Sequence, residues 1–114
     1  MSAPIAPSVH GSPPFEVEID RSGRDVVIVL RGELDMAGLL SLALVIDEAT
    51  DRPSKRLILD LADLSFIDAS GIRAVRSARR RLGADGTEVA VRAVQPFVRR
   101  VFRLCGLGDW GTSA

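Results

Sequence analysis

The chain has 114 residues, 46% of them apolar and 26% charged, which suits one globular domain able to fold without disulfide or metal. Fifteen basic residues balance fifteen acidic ones, so no net field argues for nucleic acid or an anionic membrane. Cys105 is the only cysteine, which excludes an intrachain disulfide and argues against a cysteine zinc site. Met1 to Pro14 carries Pro4, Pro7, Pro13 and Pro14 with the only histidine, His10, and reads as a disordered tail over residues 1–14. Phe15-Glu16-Val17-Glu18-Ile19-Asp20 alternates strictly, the period of a half-buried strand. Arg21 to Arg24 is a turn, and Val26 to Leu30 is a β-branched run suited to a strand covered on both faces. Gly32-Glu33-Leu34-Asp35 reads as a connection, with Asp35 placed to cap the next helix.

Leu39, Leu42, Ala43, Ile46 and Ala49 recur at helical spacing, and Pro53 ends that helix. Arg56 to Leu61 is a third strand, running into a short loop that ends in Asp68-Ala69-Ser70-Gly71. A helix from about Ser70 to Leu82 follows, with Gly83 as its expected C-cap. Thr87 to Val91 is a fourth strand. Pro96 opens a last helix whose inner face is expected to be Phe97, Val101, Leu104 and Cys105, with Gly106 ending it. Trp110 is expected to cap the sheet edge or the last helix. Residues 111–114 read as a C-terminal tail.

The order β-β-α-β-α-β-α predicts an α/β domain over residues 15–110 with a mixed sheet of four strands, or five, and helices mainly on one face. No apolar run reaches the roughly 18 residues of a membrane-spanning helix, and no basic-then-apolar leader opens the chain. A reducing cytoplasmic setting fits, with no membrane insertion.

Catalysis is not expected. His10 lies in the tail, Lys55 in a loop, and no base stands beside a nucleophile. No Gly-rich phosphate loop is present, and a phospho-aspartate receiver would need an acidic cluster after the first strand. No cofactor or metal is implied.

Four pieces of sequence, in order, resemble the STAS domain of bacterial anti-sigma-factor antagonists. They are Gly32-Glu33-Leu34-Asp35, Asp60-Leu61, Phe66-Ile67-Asp68-Ala69-Ser70-Gly71-Ile72 and the run Pro96 to Leu107. The resemblance covers about Phe15 to Leu107. In such antagonists the serine before the glycine of Asp-Ser-Ser-Gly is phosphorylated by a partner kinase, and the matching position here is Ser70. Ala69 replaces the first serine of that motif, and Met36-Ala37-Gly38 lacks the Ser or Thr often found before the family's first helix.

The resemblance implies an anti-sigma factor with serine kinase activity as partner, and a protein phosphatase to reset the switch. It further implies a partner surface drawn from Glu33, Asp35, Leu64, Phe66, Asp68, Ala69, Gly71 and Arg73. Without the family, Ser70 reads as a helix N-cap, Asp68 as a second cap, and Arg73, Arg76 and Arg80 as a solvated helix face. A different function fits the same fold: a STAS regulatory subunit of a lipid or anion transporter, or of a signalling scaffold, with no sigma factor involved.

Overall fold

The structure, a computed structural model, describes residues 9–12, 14–52, 54–108 and 110. Five strands form one sheet in the order β1-β2-β3-β4-β5. They are β1 (Val9–Ser12), β2 (Phe15–Asp20), β3 (Val26–Leu34), β4 (Arg56–Ile67) and β5 (Glu88–Arg92). Three α-helices accompany them: α1 (Leu39–Ala49), α2 (Ala69–Ala84) and α3 (Pro96–Leu104). β1, β2 and β3 pair antiparallel, whereas β3, β4 and β5 are parallel neighbours. The expected mixed α/β sheet is therefore present, with five strands.

The fifth strand lies where a tail is expected. Val9–Ser12 pairs with Phe15–Glu18 in a tight hairpin and forms the sheet edge. Gly11 and Pro14 obscure its strand pattern. Gly32 explains how this hairpin seats: its φ is +93°, and a Cβ there would overlap the carbonyl oxygen of Pro14. That same carbonyl accepts the Glu33 N–H at 2.9 Å. Residues 1–8, 13 and 111–114 of the expected tails lie outside the described residues.

Strand pleating sorts the side chains onto two faces. Val17, Ile19, Ile28, Leu30, Leu57 and Leu59 point to one face, where they form the core with helix residues such as Leu42, Val45, Ile72 and Val75. On the other face, Glu18 pairs with Arg31 at 2.6 Å and Asp60 with Arg92 at 3.0 Å, both across adjacent strands. The Val26–Leu30 run, expected to be covered on both faces, thus has only one face under helices. Val27 and Ile58 are shielded on the open face by their cross-strand neighbours.

β4 is the largest departure from the sequence reading. It runs on to Ile67, six residues past Leu61, through the expected loop. Its pairing with β3 slips twice, between Val29 and Arg31 and between Gly32 and Glu33. Each slip is a bulge that adds one residue to β4. Leu61, Leu64 and Ile67, three apart, therefore all face the core. A period of three in a strand matches no simple alternation.

Helix ends differ in similar ways. α2 continues through Gly83 to Ala84, and the left-handed glycine at its end is Gly86, φ +88°. The Thr87 N–H closes that cap on the Leu82 carbonyl at 2.9 Å. Gly106, φ +80°, does end α3 as expected, with the Leu107 N–H reaching the Phe102 carbonyl at 2.9 Å. The inner face of α3 is Val98 and Phe102, while Phe97 and Leu104 are exposed and Cys105 is half-buried. Trp110 is buried: its ring stacks on Phe102 at 5.6 Å and its Nε1–H donates to the Val89 carbonyl at 3.2 Å. It covers the last helix and edge strand β5 together.

No helix among the described residues is long and apolar enough to cross a membrane.

Candidate functional site

Three parallel strands end on one edge of the sheet, and the candidate site is built there. The chain leaves β4 at Ile67 and turns directly into α2. The turn is fixed by the Asp68 N–H, which donates to the Leu34 carbonyl at the end of β3 across 3.2 Å. This backbone bond sets α2 hard against β3. Gly71 makes the approach possible: a Cβ there would lie 2.9 Å from the Leu34 oxygen and 2.7 Å from Ile67 Cγ1. The glycine of the motif is thus needed for close packing in the first turn of the helix.

Asp68 is the N-cap of α2, in extended conformation. Ser70 therefore stands inside the first turn, and its reading as the cap is corrected. Asp68 Oδ1 accepts the Gly71 N–H at 3.0 Å and the Ser70 hydroxyl at 2.6 Å. The Ser70 hydroxyl bond holds the Asp68 carboxyl below the usual carboxylate range, with the Gly71 and Ser70 N–H groups and the Arg73 charge adding to it; burial opposes them. The carboxylate is accordingly ionised at neutral pH and positions the hydroxyl of Ser70, a buried residue at 9% exposure.

Around this serine the expected partner residues separate into surface and interior. Ala69 and Arg73 are exposed on the first turns of α2, and Asp68 is partly exposed. Glu33 is exposed and sits opposite Phe66 in the β3–β4 pairing. Asp35, partly exposed, accepts the Ala37 N–H at 3.0 Å and caps a 3-10 turn, Met36–Gly38, that precedes α1. Leu64 is fully buried and offers no surface to a partner. Gly71 is buried beneath the β3 end and contributes by packing. Ser65, another hydroxyl near the run, donates to the Gly32 carbonyl at 3.1 Å and braces β4 on β3.

Two exposed apolar residues beside the site are absent from the sequence-based set. Phe97, expected in the core, stacks on Phe66 with ring centroids 5.8 Å apart. Met36, next to Asp35, is 73% exposed. Phe66 and Phe97 carry the aromatic half of this edge, and Met36 the other side. α3 is apolar on two sides, so its periodicity alone does not decide which side faces water.

The arrangement can present a hydroxyl, fixed by a carboxylate, at a helix N-terminus rimmed by apolar side chains. Among the described residues no group of three or more His, Cys, Asp or Glu could hold a metal ion.

Residues 16–112 match the STAS domain family. A curated relative from Lysinibacillus sphaericus, "Anti-sigma F factor antagonist", is 35% identical over 86 residues, covering 75% of this chain and 74% of the relative. The solved structure of the anti-sigma factor antagonist SpoIIAA in its unphosphorylated form is 30% identical, with a TM-score of 0.67 over 86% of this chain and 87% of that one. That of the Bacillus cell fate determinant SpoIIAA in the phosphorylated form is 31% identical, with the same TM-score over 86% and 90%. The curated relatives are named as antagonists, and the family is not one of enzymes. With the family match spanning nearly the whole described chain, and the Asp-x-Ser-Gly turn and five-stranded sheet in place, this chain is a member of the STAS domain family.

Proposed function

We propose that this chain is an anti-sigma-factor antagonist. In the unphosphorylated state it binds an anti-sigma factor that is also a serine kinase, which frees a sigma factor for transcription. Phosphorylation of Ser70 releases the partner, and a protein phosphatase restores binding. The setting is the cytoplasm. The observation that carries this reading is the Ser70 hydroxyl held by Asp68 in the first turn of α2, at a rim of exposed apolar side chains. The names of the similar proteins, antagonists of anti-sigma factors with one determined in a phosphorylated form, support it.

Phosphoryl transfer replaces the proton that Ser70 shares with Asp68, so that bond is lost. A group of charge about −1.5 to −2 then stands beside a carboxylate. The positive end of the α2 dipole compensates part of this charge while the site faces water. Under a partner the dianion would have to be desolvated, which costs several kcal/mol unless the partner supplies a matching cation. Folding is preserved and docking is lost. Glu33, Asp35, Phe66, Asp68, Ala69 and Arg73 form the docking surface, while Leu64 and Gly71 support it from below.

The test is phosphotransfer. The chain is incubated with its cognate kinase and ATP, and intact mass and peptide mapping are read for wild type and Ser70→Ala. One phosphate on wild type and none on Ser70→Ala is expected. Equal phosphorylation of both proteins refutes the site.

A further inference from the structure

The neutral net charge conceals a separation. α2 and α3 together carry eight arginines and no acidic residue. The recorded ion pairs lie elsewhere, on the strands, their turns and the far end of α1. The five arginines of α2, and Arg100 and Arg103 of α3, form no ion pair with a described carboxylate. Two of them bind inward: Arg76 donates to the Cys105 carbonyl, and the Arg79 guanidinium lies 4.7 Å over the Trp110 ring. These contacts tie the end of α3 to the middle of α2, so the exposed Arg73 and Arg80 of α2 and Arg100 and Arg103 of α3 border the surface between them, whereas Arg81 lies against α1. Large apolar side chains stand out of it. Leu104 is 79% exposed and Phe97 44%. The Phe97 ring stacks on Phe66, and Arg73 lies one turn from Ser70, so this basic surface runs directly into the Ser70 rim.

We infer that α3 and the adjoining side of α2 form a second docking face for the partner that binds at Ser70, and that the partner covers it with an acidic segment bearing an apolar anchor. This rests on the function proposed above. The arginines supply the charge complement, and Leu104 and Phe97 the apolar contact. A phosphate backbone would satisfy the arginines but would leave Leu104 and Phe97 in water, which favours a protein segment over nucleic acid. The face explains how a partner can gain affinity and steering away from the serine while remaining sensitive to it. A dianion on Ser70 stands at one end of the same surface and repels the acidic segment.

The test is titration calorimetry of the cognate anti-sigma factor against four proteins: wild type, Arg100→Glu/Arg103→Glu, Leu104→Ser and Ser70→Asp. All substituted residues of α3 are exposed, and circular dichroism checks that each variant is folded. A charge-removing pair, Arg100→Gln/Arg103→Gln, replaces the reversal if that variant is unfolded. The double reversal is expected to weaken binding about tenfold or more at 50 mM salt, with the gap closing at 500 mM as screening shortens to a few ångströms. Leu104→Ser is expected to weaken binding at both salts. Binding of the double variant and of Leu104→Ser within twofold of wild type overturns the second face, and leaves the Ser70 switch standing if Ser70→Asp still abolishes binding. Ser70→Asp binding as tightly as wild type overturns the switch instead, whatever the α3 variants do.

Discussion

Gly71→Ala sets two effects of opposite sign against each other at the candidate site. In a helix interior the exchange gains about 0.8–1.0 kcal/mol from propensity, and less in the first turn. Against that, the new methyl would meet Leu34 O at 2.9 Å and Ile67 Cγ1 at 2.7 Å, closer than a Cβ tolerates. Backbone on one side and core on the other leave little room, and such overpacking costs typically about 1–3 kcal/mol. Relief requires α2 to move off β3, which stretches the bond from Asp68 N–H to the same Leu34 oxygen, now 3.2 Å, worth about 0.5–1.5 kcal/mol. The net is a loss of about 2 kcal/mol, or roughly 8–16 °C in Tm for a domain of this size. Gly83→Ala is the control in the same helix: a Cβ there meets nothing within 4 Å, and stability should rise by about 0.4–1 kcal/mol. Differential scanning calorimetry of both variants is the assay. A Gly71→Ala protein as stable as wild type would refute the claim that this glycine is required for close approach.

Other outcomes follow from the same packing and charges. Asp68 has a depressed folded-state pKa, so its contribution is present above the unfolded carboxylate pKa and is lost as pH falls through the folded one. Asp68→Asn, which keeps a capping residue, should therefore flatten acid destabilisation in that window; an unchanged pH–stability curve counts against the Ser70–Asp68 bond. Leu64→Ala should cost about 2–5 kcal/mol in urea unfolding, as core truncations do. Phe66→Ala, 37% exposed at that position, should cost far less stability and weaken partner binding instead. Trp110→Ala removes the stack on Phe102 and the bond to Val89, and should cost about 3–5 kcal/mol, which would be contradicted by a loss under 1 kcal/mol.

Most of the fold is legible where one physical rule governs a segment. β2 alternates, α1 repeats at helical spacing, and Pro96 with Gly106 brackets α3. Legibility fails where two rules compete. The bulges of β4 replace a period of two by one of three, so Leu64 and Ile67 read as loop though both are core. Gly83 and Gly86 both suit a helix end, and tertiary packing selects Gly86. α3 has apolar residues on both sides, and the side that meets the core is the one carrying Val98 and Phe102. At the candidate site, the run from Asp68 to Gly71 identifies the serine, but not its place two residues past the cap or the burial of Leu64. Those depend on how β3 and β4 end side by side, which a linear pattern does not contain.

The central claim is that one phosphate on Ser70 gates a surface. The most direct measurement is the affinity of the cognate anti-sigma factor for the chain before and after stoichiometric phosphorylation, by calorimetry at fixed salt. Desolvating an uncompensated dianion predicts a loss of at least about 100-fold, equivalent to roughly 2.8 kcal/mol, with the fold unchanged by circular dichroism. Affinities within twofold of each other would contradict the account.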